Sequence, residues 1–537
     1  MKTCRVLSKI TALCLALLMA VSALSTATFA ISSTDKGTIT VNGVEDGVTV
    51  SAYRLMDVNY DFEKNEPVDP VYRWVASVQT WVDANYPAYR DANEFNTKKV
   101  GADAAAEFYD KLAAAIKGGS VALTPTDRTG SGNITNLDMG NYLILIENGM
   151  KVYRPSAVNL VPQWNETSKE WEMTSPATIT VKASEPSLDK SINEDIADGH
   201  ATGKGSVSTT GNIIGSDNAS IGDTINFDLR ADIPQYPANA IVKNYAISDK
   251  LSNGLTLDSS SIKVYGVAAG GAETLLSEES GDYTITYVRP SNSASTSFTV
   301  NFAYDQIKGY EKVHIHYEAV LNENAVIGSA GNPNEAYLDY SNNPYDANSW
   351  NSKADKVTVY TYGIDVTKTN KNTTPTPLPG AEFELSKSSG GEALRFIAIS
   401  DNEGVYRLAK ENEQGSSTTV LIVGGEHAAN GMKGKLRLVG LDAGTYYLKE
   451  TKAPAGYNKI STPIEITIAD SDYDGGVEVG EEDLVTGLVP VTVQNSQGFE
   501  LPTTGGIGTV LFTAVGVALM GAGLVLFFLN RKRRKAE

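Results

Sequence analysis

The C-terminus constrains everything upstream of it. The chain ends with Leu501-Pro502-Thr503-Thr504-Gly505, an uncharged run from Ile507 to Leu529, and the basic cluster Arg531–Lys535. The run is 23 residues long, and a membrane-spanning helix needs roughly 20. The basic residues after it hold that end on the cytoplasmic side. A transmembrane segment is therefore expected at 507–529, and the body of the chain must fold outside the cell.

The N-terminus agrees. Lys2, Arg5 and Lys9 precede the apolar stretch Ile10–Leu24, and Thr28-Phe29-Ala30 ends in a small residue. Residues 1–30 read as a signal peptide cleaved after Ala30. Both cysteines, Cys4 and Cys14, lie inside it. The exported body thus has no disulfide, although exported domains commonly rely on them. The full chain carries a net charge of −19, and the processed body about −26 once the basic ends are removed. So acidic a body argues against nucleic acid as a partner.

Runs rich in Thr, Val, Ile and Tyr alternate along the body and are separated by Gly, Pro, Asn and Asp turns, the pattern of tandem β-sandwiches. Two stretches break it. Trp74, Val75, Val78, Trp81 and Val82 recur at helical spacing, as do Phe108, Leu112 and Ile116. They predict a helical insertion in the first of three domains, placed at 31–182, 183–361 and 362–500. The segment Leu137-Asp-Met-Gly-Asn-Tyr142 is echoed by Leu441-Asp-Ala-Gly-Thr-Tyr446, so the first and third domains are expected to share a sandwich type.

Alternate side chains of a strand share one face, which identifies polar residues aimed at a core. In the third domain Lys368 shares a face with Ile364 and Val366, Glu450 with Tyr446 and Leu448, and Asn495 with Val491 and Val493. A buried ion pair is costly and contributes little to stability. A reaction explains the trio better. Burial disfavours both charged forms, a neutral amine is a nucleophile, and a protonated Glu450 can assist at the Asn495 carboxamide. Ammonia leaves, and Lys368 is joined to Asn495 by an isopeptide bond that constrains the unfolded chain as a disulfide would. The alternative is a buried ion pair beside a hydrogen-bonded Asn. In the middle domain the same reasoning selects Lys190 and Asn334, with Asp249 as the acid. Asp228 is the rival acid, but it alternates with Thr224, Asn226 and Arg230 and is placed on the solvent face. In the first domain Ile146 occupies the position of Glu450, and the strand Thr38–Val41 has no lysine. No internal bond is expected there.

Tyr446–Tyr457 (YYLKETKAPAGY) resembles the E-box of Gram-positive pilins, and Pro377–Leu385 (PLPGAEFEL) its usual companion. LPTTG, the apolar run and the basic tail resemble a Gram-positive cell-wall sorting signal. The third domain resembles the collagen-adhesin B-type (CnaB) fold, whose Lys, E-box Glu and last-strand Asn correspond to Lys368, Glu450 and Asn495. The implied fold is mainly β, with tandem Ig-like β-sandwich domains: a CnaB-like first domain with the helical insertion, a CnaA/CnaB-like middle domain and a CnaB third domain. The resemblance implies the backbone subunit of a sortase-assembled pilus. A class C sortase would cleave between Thr504 and Gly505 and join Thr504 to a lysine of the next subunit. A housekeeping sortase would then anchor the polymer to peptidoglycan. Minor pilins would be partners, and the fibre would support adhesion. Such a protein is a sortase substrate whose only catalysis is autocatalytic.

Lys182 is the candidate linking lysine. It alternates with Thr178 and Thr180, opposite Ile179 and Val181, and lies eight residues before Lys190. Backbone pilins carry theirs in a comparable place within Val-Tyr-Pro-Lys; here the Tyr-Pro is absent. The runner-up is a monomeric wall-anchored adhesin with the same internal bonds. Asp470-x-Asp472-x-Asp474-Gly-x5-Glu481 fits a calcium-loop spacing, but the strand pattern before it makes an acidic turn the simpler reading. No cofactor is required. His314 and His316, opposite Val313, Ile315 and Tyr317, are expected to face solvent.

Overall fold

The computed structural model describes residues 31–95, 100–129, 132–173, 175–192, 215–237, 239–288, 297–399, 403–498 and 507–533. The signal peptide and Leu501–Gly505, including Thr504, lie outside the described residues.

Three β-rich regions follow one another. In the first, a sheet of Glu66–Trp74, Thr49–Asp61, Gly140–Glu147 and Ser156–Leu160 faces a three-stranded sheet of Ala177–Thr180, Gly37–Asn42 and Gly132–Leu137. Ile39, Val50, Ile144 and Leu160 fill the space between them. The other face of the larger sheet is covered by the helices Ala76–Asn85 and Ala102–Lys117. Val78, Val82, Phe108, Leu112 and Ile116 are buried there, as their spacing predicted. Trp74 instead ends a strand. The echoed segments have the same geometry. The Tyr142 hydroxyl donates to the carbonyl of Asp138 at 2.8 Å, and that of Tyr446 to the carbonyl of Asp442 at 2.9 Å. Each is a tyrosine corner at the start of a central strand.

The middle region packs a five-stranded sheet against a six-stranded one. The first is ordered Leu188–Ile192, Thr224–Asp232, Lys312–Leu321, Leu255–Val267, Glu273–Leu275. The second is ordered Ser216–Asn218, Asn351–Tyr360, Asn332–Tyr340, Tyr245–Leu251, Ser297–Phe302, Tyr283–Val288. In the third region the first strand, Tyr362–Asn370, lies between Lys435–Leu441 and the last strand, Leu488–Asn495. The opposing sheet carries Glu382–Ser386, Gly444–Lys452 and Ile464–Ile468.

The regions also contact one another. Tyr345, from the middle region, is buried in the helical core of the first. Gly328 of the middle region (φ +82°) sits where a Cβ would lie 2.5 Å from the carbonyl oxygen of Val485, so only glycine fits. The tail contains a 27-residue helix, Ile507–Arg533. Among the described residues no helix is long and apolar enough to cross a membrane, so the structure does not add support to the transmembrane segment read at 507–529.

Candidate isopeptide sites and the linking lysine

The third-region trio forms because its first and last strands are parallel neighbours in one sheet. Their register pairs Lys368 with Val493 and Asn370 with Asn495. Two inward-facing positions two residues apart thus meet on one face, and Glu450 reaches them from the opposing sheet. Lys368 is fully buried, with Glu450 3% and Asn495 1% exposed. The Lys368 Nζ lies 3.3 Å from Glu450 Oε1. Asn495 Nδ2 donates to Glu450 Oε2 at 2.9 Å and to the Asn458 carbonyl at 2.7 Å. The E-box carboxyl is held in turn by the amide of Ile460 at 2.7 Å. Burial lowers the Lys368 amine from its ordinary range, against the pull of Glu450. The Asn495 carbonyl oxygen is buried with no partner. One carboxyl therefore touches both the nucleophile and the leaving nitrogen.

The middle-region groups are arranged differently. Lys190 pairs with Leu229 inside the five-stranded sheet. Asp249 and Asn334 lie on antiparallel neighbours of the other sheet, where Asp249 pairs with Ala336 and Asn334 with Leu251. A Lys190–Asn334 bond would cross between the sheets. Lys190 Nζ is ion-paired with Asp249 Oδ2, and neither side chain has any exposed surface. Burial lowers the Lys190 amine against the opposing pull of Asp249, and raises the Asp249 carboxyl. Asp249 does not reach Asn334 by any hydrogen bond among the described residues. Tyr317 does: its hydroxyl accepts from Lys190 Nζ at 2.8 Å and from Asn334 Nδ2 at 2.8 Å. Asn334 Oδ1 and Asp249 Oδ1 are buried without partners. The sequence reading missed Tyr317. Its signal was present, because Tyr317 shares an inward face with Val313 and Ile315, and a buried tyrosine needs a partner for its hydroxyl.

The rival acid is set aside for a different reason from the one expected. Asp228 points away from Lys190, but it is 3% exposed rather than on a solvated face. His314 Nε2 lies 2.6 Å and His316 Nδ1 3.2 Å from its Oδ1. Burial works against its charge, but the two imidazoles outweigh this and hold the carboxyl below its ordinary range. His314, expected at the surface, is 7% exposed and reaches Glu273 with its other nitrogen at 2.9 Å. The outer face of this sheet is covered by its own side chains, which alternation alone does not reveal.

Lys182 is exposed. It lies two residues past the strand Ala177–Thr180, where its carbonyl accepts from the Arg154 amide at 3.0 Å. No ion pair or side-chain hydrogen bond engages its amine among the described residues. Asp470, Asp472 and Asp474 are brought together, with one ligand oxygen of each within 4.8 Å of the others. Glu481 is exposed on the turn before Glu482–Leu484 and is not in this group. Asp470 is already engaged: it accepts from the Gly475 amide at 2.9 Å and from the Tyr362 hydroxyl.

Strand topology, two buried Lys–acid–Asn clusters and an exposed lysine between two sandwiches define a multi-domain β-sandwich protein. Family comparisons make this specific. Residues 221–344 match the Gram-positive pilin backbone subunit 2, Cna-B-like domain; 363–483 match the SpaA prealbumin-like fold domain; 493–537 match the LPXTG cell wall anchor motif. The matched domains are those of backbone pilins, and with the wall-anchor motif they indicate a cell-wall-anchored pilus subunit. It is 25% identical to the trypsin-resistant surface T6 protein of Streptococcus pyogenes serotype M6, over 97% of this chain and 99% of that one. It is 24% identical to the type 1 fimbrial subunit of Actinomyces viscosus, over 59% of this chain and 62% of that one. The solved structure of the T6 backbone pilin from serotype M6 S. pyogenes aligns with a TM-score of 0.56 at 18% identity, covering 87% of this chain and all of the other. That likeness shows the fold.

Proposed function

We propose that the chain is polymerised by a pilus-specific class C sortase, which joins Thr504 of one subunit to Lys182 of the next. The observation that carries this is the contrast among lysines. Lys190 and Lys368 are sealed in cores, whereas Lys182 stands exposed beside the junction of two sandwiches with its amine unengaged. The sortase cysteine attacks the Thr504 carbonyl and releases Gly505 onward. The Lys182 amine of another subunit resolves the acyl-enzyme, and the wall-anchoring sortase ends the chain on peptidoglycan. Minor pilins would join the same fibre. Within each subunit, Lys368–Asn495 and Lys190–Asn334 bonds replace the missing disulfides. Glu450 and Asp249 assist, and the buried unpartnered Asn carbonyl oxygens support this reading.

The experiment is a blot of wall extract boiled in detergent. A high-mass ladder is expected, and it should vanish in Lys182→Ala. A single band at monomer mass favours the monomeric adhesin, and a ladder that survives Lys182→Ala means that another lysine is used.

A further inference from the structure

We propose that Tyr317 is a catalytic residue of the middle region, the group that moves the proton from the attacking amine to the departing nitrogen. The inference deepens the isopeptide reading above and rests on it. Tyr317 has no exposed surface. Its ring is fixed between Phe227, stacked at 5.3 Å, and Phe298, edge-on at 5.0 Å. Packing thus sets the hydroxyl's position. The hydroxyl lies 2.8 Å from Lys190 Nζ, 2.8 Å from Asn334 Nδ2, and against the Asp249 carboxyl. It is the one group among the described residues that hydrogen-bonds both nitrogens of the reaction.

The reaction needs such a group. Lys190 first gives one proton to Asp249, leaving a neutral amine and a neutral acid. Nζ then bonds to Cγ of Asn334, and the carbonyl electron pair moves onto Oδ1. Nitrogen leaves an amide only after protonation. Asp249 makes no hydrogen bond to Asn334, so it cannot do this directly as Glu450 can for Asn495. Tyr317 accepts a proton from Nζ and gives its own to Nδ2. The Cγ–Nδ2 bond breaks, its electron pair leaves with ammonia, and the pair on Oδ1 re-forms the carbonyl. Tyr317 ends as it began, and no oxidant or second reactant enters. In the third region no tyrosine hydroxyl touches Lys368 or Asn495 among the described residues, and the carboxyl performs both steps.

The test is peptide mapping by mass spectrometry of the full chain carrying Tyr317→Phe, which removes one oxygen and keeps the ring. The expected result is linear Lys190 and Asn334 peptides, or cross-linking slowed on the order of 100-fold in a refolding time course. The Lys368–Asn495 cross-link should stay complete, as the internal control for folding and chemistry. Middle-region cross-linking at the wild-type rate in the variant overturns the role of Tyr317. Linear Lys190 and Asn334 peptides in the wild type overturn the underlying isopeptide reading instead. Should Tyr317→Phe fail to fold, 3-fluorotyrosine at position 317 retains and acidifies the hydroxyl. The pH profile of bond formation should then move to lower pH, and an unmoved profile overturns the proposal.

Discussion

The middle and third regions hold the same three chemical groups in two topologies. In the third, Lys368 and Asn495 sit on adjacent parallel strands, and one glutamate spans both. In the middle, Lys190 and Asn334 belong to opposing sheets, and the contacts to them are divided between Asp249 and Tyr317. The length of the acid goes with the difference. Glu450 extends across the core far enough to touch both nitrogens. Asp249, one methylene shorter, reaches only the amine, and a hydroxyl from the lysine's own sheet supplies the second contact. What the two sites share is dryness: every reacting group is nearly or fully buried. That lowers both lysines out of their ordinary range. On the proposed mechanism, desolvation would set the reactivity and topology would decide which groups carry the protons.

The largest effect expected is loss of the bonds themselves. Each would close a loop of more than 100 residues, for which the chain-entropy account gives about 4–5 kcal/mol. Lys368→Ala should therefore lower the melting temperature of the third region on the order of 10 °C, as read by calorimetry, and retain one more ammonia in the intact mass. Lys190→Ala should do the same in the middle. A melting temperature unchanged by either substitution would sever the link between these clusters and stability.

Next comes the divided labour. Glu450→Gln removes the acid that touches both nitrogens and should abolish the Lys368–Asn495 cross-link. Asp249→Asn leaves Tyr317 in place and a lysine that burial alone lowers, so it should slow the middle bond while leaving measurable product after long incubation. Peptide mapping over a refolding time course compares the two. Equal and complete loss in both would erase the distinction between the sites.

The third-region site was legible because its partners lie at the ends of the domain, on strands of strict alternation, and because the E-box is literal. In the middle region alternation selected Lys190, Asp249 and Asn334, yet not Tyr317. An inward tyrosine among Val313 and Ile315 reads as core until its hydroxyl is placed, and that requires knowing which strands are neighbours. The same gap hid the Asp228 cluster. Period-two alternation separates two faces, but it does not say whether the outer face is wet. Tyr265 stacks on His314 at 5.6 Å and Glu273 reaches it from the edge strand, and neither is near in sequence. Acidic spacing likewise suggested Glu481 beside Asp470, Asp472 and Asp474, whereas the turn at Gly480 separates it from them.

The histidine cluster provides a smaller effect, outside both reactive sites. Asp228 raises the His316 imidazole above its ordinary range, chiefly through their hydrogen bond. A group raised in the folded state stabilises fully below its unfolded value, near 6.5, and that contribution is lost as pH rises through the folded value. His316→Gln should therefore cost more at pH 5 than at pH 9. The cost at pH 5 should be about 1.5–3 kcal/mol, the range for a hydrogen bond to a charged group. Melting curves across that range check it. A pH-independent difference would mean that the imidazole acts through packing alone.

The smallest effect is the sharpest test of dryness. A third cluster of lysine, carboxylate and asparagine exists where the first and middle regions meet. Lys117 Nζ lies 2.5 Å from Glu147 Oε1, and Asn343 Nδ2 donates to the same oxygen at 2.5 Å. By composition it matches the third-region site. But the Lys117 and Glu147 side chains are 23% and 18% exposed. Burial pulls the Lys117 amine down, and Glu147 outweighs it, holding the amine above the ordinary lysine range. An ammonium has no free pair with which to attack. The Asn343 carbonyl oxygen is also engaged by the Tyr345 amide at 3.1 Å, unlike those of Asn334 and Asn495. We therefore expect no bond here: the whole chain loses two ammonia molecules, not three. Lys117→Ala should leave that mass loss unchanged and cost at most about 1 kcal/mol, as for a partly exposed ion pair. A Lys117–Asn343 cross-link in the peptide map would show that proximity to a carboxyl suffices without desolvation, and the shared basis of the two buried sites would fall with it.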